Sequence, residues 1–96
     1  MTLRPPGQSG QDLLARELLE EMAIALGRAG RRAEAALAQL RDHRGPPEER
    51  LVLLKAAAES VYAYFIQREL CGLRRHDDVI REYDIPREVL ARLGAK

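Results

Sequence analysis

The single cysteine of the chain, Cys71, precedes His76 closely enough in sequence to suggest a thiol–imidazole pair. A nucleophilic cysteine needs a base within hydrogen-bond reach and a third group that orients this base. Gly72 and two arginines separate the two residues, and no orienting group is evident. We therefore predict that Cys71 is a small apolar residue at a helix end and that the protein is not an enzyme.

A short acidic run after Cys71 has the residue types of a metal site. Its possible ligands are His76, Asp77, Asp78 and Glu82. Zinc sites favour histidine and cysteine at repeated spacings, and this run has only one histidine. Asp77 or Asp78 is better explained as the cap of a short helix, so we predict neither a metal nor a cofactor.

Arg68 lies on an apolar stripe of the predicted second helix, where a charge is unexpected. In a folded hairpin it would be level with Met22 and near Glu20 and Glu21. An unpaired buried charge is costly, so we predict a structural ion pair of Arg68 with Glu20 or Glu21. Two alternatives remain: the side chain reaches solvent at the bundle edge, or it binds an anionic ligand.

The packing residues and the turn of segment 79–93 have the spacing of a helix-turn-helix, with Arg87 and Arg92 on its second helix. These arginines could contact phosphates or bases. The second helix is short, however, and nearby acidic residues offset the arginines, whereas DNA binding requires positive charge. We favour a helical corner that packs on the hairpin, and we keep a small DNA-binding or regulatory protein as the alternative function.

The elements that position these residues follow from a long apolar ladder, which alternates steps of four and three residues. Its members are Ala15, Leu19, Met22, Leu26, Ala29, Ala33, Ala36 and Leu40. This spacing predicts a helix that packs on another helix. We expect one continuous helix from about Gln11 to Arg44, because the ladder keeps its phase across Gly27 and Gly30.

Gly45, Pro46 and Pro47 end this helix, and we predict a second helix from Pro46 or Pro47 to about Cys71. Short helices follow at Val79–Tyr83 and at Pro86–Leu93, and no segment alternates as a strand would. The short link between the long helices makes them antiparallel neighbours.

This antiparallel hairpin pairs residues from its two helices, and we predict four pairs: Leu40 with Leu51, Leu37 with Leu54, Ala33 with Ala58, and Leu26 with Phe65. Gly27 and Gly30 would then leave room for the rings of Tyr62, Tyr64 and Phe65.

The first helix has a second apolar row, which consists of Leu14, Leu18, Ala25 and Leu37. One partner helix cannot cover both rows. The C-terminal helices could fold over one of them, or a second copy of the chain could cover it. We predict a homodimer in which two hairpins form a four-helix bundle.

The composition suggests a single helical domain at 11–96 after a flexible tail at 1–10. The chain has 96 residues, with 16 basic and 15 acidic side chains, a balance that argues against nucleic acid as a partner. One cysteine allows no internal disulfide. The start of the chain has no signal-peptide pattern, and the run Leu51–Ile66 is too short and too charged to span a bilayer. We expect a cytoplasmic protein without a membrane partner.

The stretch from Val61 to Leu73 contains Gln-Arg-Glu and Cys-Gly-Leu, and Tyr83-Asp-Ile-Pro86 follows it. This arrangement resembles a family of short, uncharacterised bacterial helical proteins in which the turn reads Tyr-Gly-Ile-Pro. Asp84 occupies the glycine position here. The resemblance implies an all-helical bacterial cytoplasmic protein, and it carries no activity, cofactor or site residues.

The function itself stays unknown at this level. The sequence favours a non-enzymatic helical module for protein interaction or an adaptor, with homodimerisation as the expected assembly.

Overall fold

A computed structural model describes residues 10–95, which form four helices and contain no strand. Helix α1 spans Gly10–Asp42, α2 spans Pro47–Leu70, α3 spans Asp77–Glu82 and α4 spans Arg87–Leu90. The predicted all-α class is confirmed. The tail predicted at 1–10 lies outside the described residues, except for Gly10, which begins α1.

Helix α1 is continuous for 33 residues and passes through Gly27 and Gly30, as the unbroken phase of the apolar ladder predicts. Asp12 lies in its first turn and Arg41 in its last turn, and both charges suit the helix dipole. The helix ends two residues before the predicted Arg44. Residues 43–46 then lead into α2, which has Pro47 at its start, where proline is tolerated.

Helix α2 packs along the C-terminal part of α1 as an antiparallel hairpin. The two helices and the C-terminal segment share one apolar core, which contains Ala33, Leu37, Leu40, Leu54, Ala57, Ala58, Val61, Tyr64, Phe65, Val79, Ile85 and Val89. Of the predicted pair Leu40 and Leu51, Leu40 is buried in this core, whereas Leu51 is 44% exposed and lies outside it. The buried stripe of α2 begins one turn later, at Leu54.

Gly30 lies against an aromatic ring, as predicted. A Cβ atom at Gly30 would come within 3.2 Å of Tyr64 Cε1. The prediction is wrong for Gly27, whose nearest neighbour is the guanidinium of Arg31 on the same helix. Tyr62 does not reach the glycines of α1 either, and its ring instead lies beside Gly94. Of Gly27 and Gly30, only Gly30 is therefore a point of close approach between α1 and α2.

Two left-handed residues turn the chain after α2 and α3. Gly72, with φ 87°, ends α2, and the N–H of Leu73 donates to the carbonyl of Arg68 at 2.9 Å. Asp84, with φ 49°, has the same place after α3, and the N–H of Ile85 donates to the carbonyl of Ile80 at 3.0 Å. Both are Schellman caps, in which glycine is the usual left-handed residue.

Helix α4 is shorter than the predicted Pro86–Leu93. It has four residues, and turns then lead to Gly94, whose φ is 76°. Val89 of α4 is fully buried against the core, and an ion pair between Arg50 and Glu88 joins α4 to the start of α2. The C-terminal segment thus packs back along the hairpin.

Candidate functional site

The N-terminal part of α1 extends beyond the rest of the hairpin. Every residue from 10 to 21 is exposed, and we call this segment the arm. At 1.5 Å per residue the arm is roughly 18 Å long. It exposes four leucines, and their exposed fractions are 46% for Leu13, 67% for Leu14, 56% for Leu18 and 64% for Leu19. The arm is the largest uncovered apolar feature of α1.

The arm continues the same stripe that is buried farther along α1. Leu19, Leu26, Ala33 and Leu40 are spaced by seven residues and therefore share one side of the helix. Ala33 and Leu40 are buried, and Leu26 packs partly against the core. Leu19 is exposed because α2 ends only six residues after Tyr64, the residue that lies on Gly30. The arm is thus a core-forming surface that has no partner helix within the described chain.

A buried arginine fixes the chain where α2 ends, at the base of the arm. Arg68 is 6% exposed. Its Nε–H donates to His76 Nδ1 at 3.1 Å, and its Nη2 donates to the carbonyl of Arg75 at 2.8 Å and to Asp78 Oδ1 at 3.3 Å. The guanidinium also lies 5.8 Å from the ring centroid of Tyr64. These contacts hold residues 75–78 against the last turns of α2.

His76 connects this arginine to a second carboxylate. Because a guanidinium can only donate, His76 Nδ1 accepts, and the neutral ring carries its proton on Nε2. Nε2 donates to Glu69 Oε2 at 2.9 Å. The imidazole also stacks on Phe65, with ring centroids 4.1 Å apart and planes 7° from parallel. Both nitrogens and one face of the ring therefore have structural partners.

The predicted ion pair of Arg68 with Glu20 or Glu21 is wrong. Arg68 is buried and paired as expected, but its carboxylate partner is Asp78. Glu20 and Glu21 lie on the exposed arm. The physical reason is the Schellman cap at Gly72, which turns the chain back so that residues 75–78 occupy the space beside Arg68.

The remaining candidate residues have separate places in the fold. Cys71 is half-buried after α2, and the nitrogens of His76 are directed to Arg68 and Glu69. No group of three or more potential metal ligands forms a site within residues 10–95. No helix in this part of the chain is long and apolar enough to cross a membrane.

The two arginines of the helix-turn-helix hypothesis do not form one surface on a recognition helix. Arg87 is exposed on α4. Arg92 follows α4 and lines a shallow cavity of about 470 Å³ together with Lys55 and Tyr62.

A pair of tyrosines joins the C-terminal segment to the close approach at Gly30. The rings of Tyr64 and Tyr83 lie 5.9 Å apart. Burial raises the pKa of Tyr83 to about 12, and a hydrogen bond with Tyr64 contributes to the same shift. The phenol of Tyr83 is therefore neutral at physiological pH and acts as a packing and hydrogen-bonding group.

No curated protein and no solved structure matches this chain. One protein family matches residues 2–96, which is nearly the whole sequence, and its description is "Family of unknown function (DUF6665)". The chain therefore belongs to the family of unknown function DUF6665.

Proposed function

We propose that this protein is a non-enzymatic helical interaction module whose docking surface is the arm of α1. The observation that supports the proposal most strongly is Leu19, which is 64% exposed although it lies on the stripe that is buried at Ala33 and Leu40. Soluble proteins rarely leave contiguous apolar surface uncovered unless it serves an interaction. A partner helix on the arm would extend the packing that α2 begins.

The same surface supports the homodimeric four-helix bundle. Two arms packed side by side would each provide the apolar stripe that the other one lacks. We place this module in the cytoplasm, and the single half-buried cysteine supports that choice because the fold uses no disulfide.

The contacts of His76 support a non-enzymatic role. A general base needs a nitrogen that can reach the reacting proton. Here one ring nitrogen accepts from Arg68 and the other donates to Glu69. The pair therefore resembles a structural tie more than a catalytic dyad.

The alternative function, DNA binding through segment 79–93, has weaker support. A recognition helix places several side chains along the major groove, and α4 has only four residues. Val89 of this helix is buried, and Glu88 pairs with Arg50. Arg87 alone remains as an exposed cation on α4.

A photoreactive phenylalanine analogue tests the docking surface in cells that express the protein. It is placed at position 18 on the arm or, as a matched control, at position 52 of α2. Leu18 and Val52 are similarly exposed, at 56% and 65%. We expect crosslinked adducts of one defined mass from position 18 and none from position 52. Absence of adducts at position 18, or equal yields from both positions, would refute the arm as the docking surface.

A further inference from the structure

A cavity at the end of α2 has no part in the proposed function. It lies between the chain that follows α2 and helix α3, has a volume of about 550 Å³ and opens to solvent. Its charged lining consists of Arg68, Arg74, Arg75, Arg81, Asp77 and Asp78. Four guanidinium groups against two carboxylates leave an excess of two positive charges in this one place.

Three of these arginines are available to a ligand. Arg74, Arg75 and Arg81 are exposed, and among residues 10–95 no ion pair joins any of them to a carboxylate. Of the two carboxylates, Asp78 pairs with the fourth arginine at 3.3 Å. Asp77 alone therefore offsets the charge of the three exposed guanidinium groups.

The fourth arginine contributes a further donor. Arg68 is buried, yet it lines the cavity. Its Nε and Nη2 donate to His76, Arg75 and Asp78, whereas its Nη1 has no hydrogen-bond partner among residues 10–95. No fully buried side-chain nitrogen or oxygen in the described part of the chain lacks a partner, so Nη1 keeps some exposed surface. This nitrogen can therefore donate to a ligand in the cavity.

The backbone that carries the cavity arginines is held in place by the fold itself. In the cap at Gly72, the N–H of Leu73 donates to the carbonyl of Arg68 at 2.9 Å. The Nη2 of Arg68 in turn donates to the carbonyl of Arg75 at 2.8 Å. Because this loop is already fixed, an anion that binds there has to order only the exposed side chains, which reduces the entropy lost on binding.

We propose that this cavity binds the phosphate monoester group of a small organic ligand. A guanidinium group donates two parallel hydrogen bonds to phosphate oxygens. A phosphate monoester carries about −1.5 to −2 charges at pH 7, which matches the positive excess of the lining. The site is separate from the arm and does not depend on the proposed function.

The size and lining of the cavity indicate that the phosphate carries an organic group. The volume of about 550 Å³ is typical of sites for small organic ligands and exceeds the volume of a phosphate alone. Leu73 also lines the cavity and is 43% exposed. Its side chain provides an apolar contact for the part of the ligand that bears the phosphate.

The distribution of charge favours a monoester over a nucleic acid. Proteins that bind nucleic acids neutralise several phosphates in succession. Here the positive excess is confined to one cavity, and the chain as a whole has a formal net charge of only +1. The arm, which extends beyond the same end of α2, has four acidic residues and one basic residue and would repel a longer polyanion.

NMR titration of the full-length protein with phenyl phosphate tests this site. The site variant carries Arg74→Gln and Arg81→Gln. The matched control carries Arg28→Gln and Arg32→Gln, which remove the same charge from exposed positions of α1 outside the cavity. All four positions are exposed, so circular dichroism should show unchanged helix content for both variants.

We expect phenyl phosphate to shift the amide signals of residues 72–76 and the Nε–H signal of Arg68 until the site is saturated. The Kd should rise at least about tenfold in the site variant, because two charged donors are lost, and should stay unchanged in the control. Inorganic phosphate should bind at least about tenfold more weakly than phenyl phosphate, since it has no apolar group to contact Leu73.

Three results would overturn the proposal. The first is the absence of saturable shifts at residues 72–76, or an equal Kd for the site variant and the control. The second is equal binding of inorganic phosphate and phenyl phosphate, which would show an adventitious ion only. The third is tighter binding of a short single-stranded DNA without terminal phosphates, which would assign the cavity to nucleic acid. Crosslinking from position 18 tests the arm separately from all three.

Discussion

At the scale of single residues, Arg68 shows how a charge can occupy an apolar stripe. The side chain has lost nearly all contact with water. Its guanidinium donates hydrogen bonds instead to the ring of His76, the backbone carbonyl of Arg75 and the carboxylate of Asp78. A charge with these partners is tolerated in a core, whereas removing one side of such a contact leaves polar atoms unsatisfied.

We therefore expect Arg68→Ala to lower the free energy of unfolding by about 3–5 kcal/mol, measured by urea denaturation. Asp78→Ala should cost less than Arg68→Ala, because the side chain of Asp78 is 67% exposed and the carbonyl of Arg75 still accepts from the guanidinium of Arg68. Glu20→Ala and Glu21→Ala serve as controls on the arm and should leave monomer stability unchanged. A loss below about 1 kcal/mol for Arg68→Ala would contradict the structural role of this residue.

Asp84 and Gly72 both have a left-handed backbone conformation, although only glycine adopts it without a steric penalty. Asp84→Gly should stabilise the protein by roughly 0.5–1 kcal/mol, because glycine adopts a φ of 49° without a steric penalty. Gly72→Ala should destabilise it by about 1 kcal/mol or more through backbone strain alone, since a Cβ atom there meets nothing within 4 Å. Thermal unfolding of both variants checks these signs, and stabilisation by Gly72→Ala would contradict the cap geometry.

The raised pKa of Tyr83 predicts that the protein loses stability in alkaline solution. Burial, aided by the hydrogen bond with Tyr64, raises its pKa from 10.0 to about 12 in the folded protein. The folded state thus keeps a proton that the unfolded chain releases, so this contribution is complete below pH 10 and is lost as the pH rises towards about 12. Urea denaturation across this range should show a smaller decline for Tyr83→Phe than for the unaltered protein. Equal declines would contradict the shifted pKa.

At the scale of elements, Gly27 and Gly30 in the middle of α1 are each followed by an arginine but have different surroundings. Gly30 meets the ring of Tyr64, whereas Gly27 meets only the flexible end of Arg31. The fold requires a small residue at Gly30 alone, because a packed ring in the core cannot withdraw as a surface arginine can.

Gly27→Ala should stabilise the protein by up to about 1 kcal/mol through helix propensity. Gly30→Ala should stabilise it less, because its Cβ would press on Tyr64 at 3.2 Å. Gly30→Leu should cost about 1–3 kcal/mol through overpacking. Chemical denaturation of the three variants measures this order, and a stabilising Gly30→Leu would show that the hairpin does not close at Gly30.

The sequence predicts the helices well because their signals are local. The ladder phase, the prolines at 46 and 47 and the glycines at 45 and 72 determine where α1 and α2 begin and end. The partner of Arg68 could not be predicted in this way, since it depends on how far the cap at Gly72 turns the chain back. The spacing of Arg92 and Leu93 predicts a longer α4, but both residues lie in turns.

The candidate surface was partly predictable from the sequence. Two apolar rows on one helix indicate that a single partner is insufficient, whereas the leucines of the arm are uncovered because α2 ends before it reaches them.

At the scale of the whole molecule, the chain consists of a packed hairpin and an arm that the hairpin does not cover. The packed part contains the core and the tie at Arg68, whereas the arm contributes no buried residue. An isolated helix of the arm's length is only marginally stable in water, so a second copy on the arm would stabilise it as well as cover its leucines.

Sedimentation equilibrium at micromolar concentration tests this account most directly. We expect twice the chain mass of 10.8 kDa for the unaltered protein and for the control Val52→Glu, whose exposed valine lies on α2. We expect the single chain mass for Leu14→Glu with Leu18→Glu, because both carboxylates would enter the interface between the arms. A monomeric unaltered protein, or a dimer that persists with both glutamates in the arm, would contradict self-association through the arm.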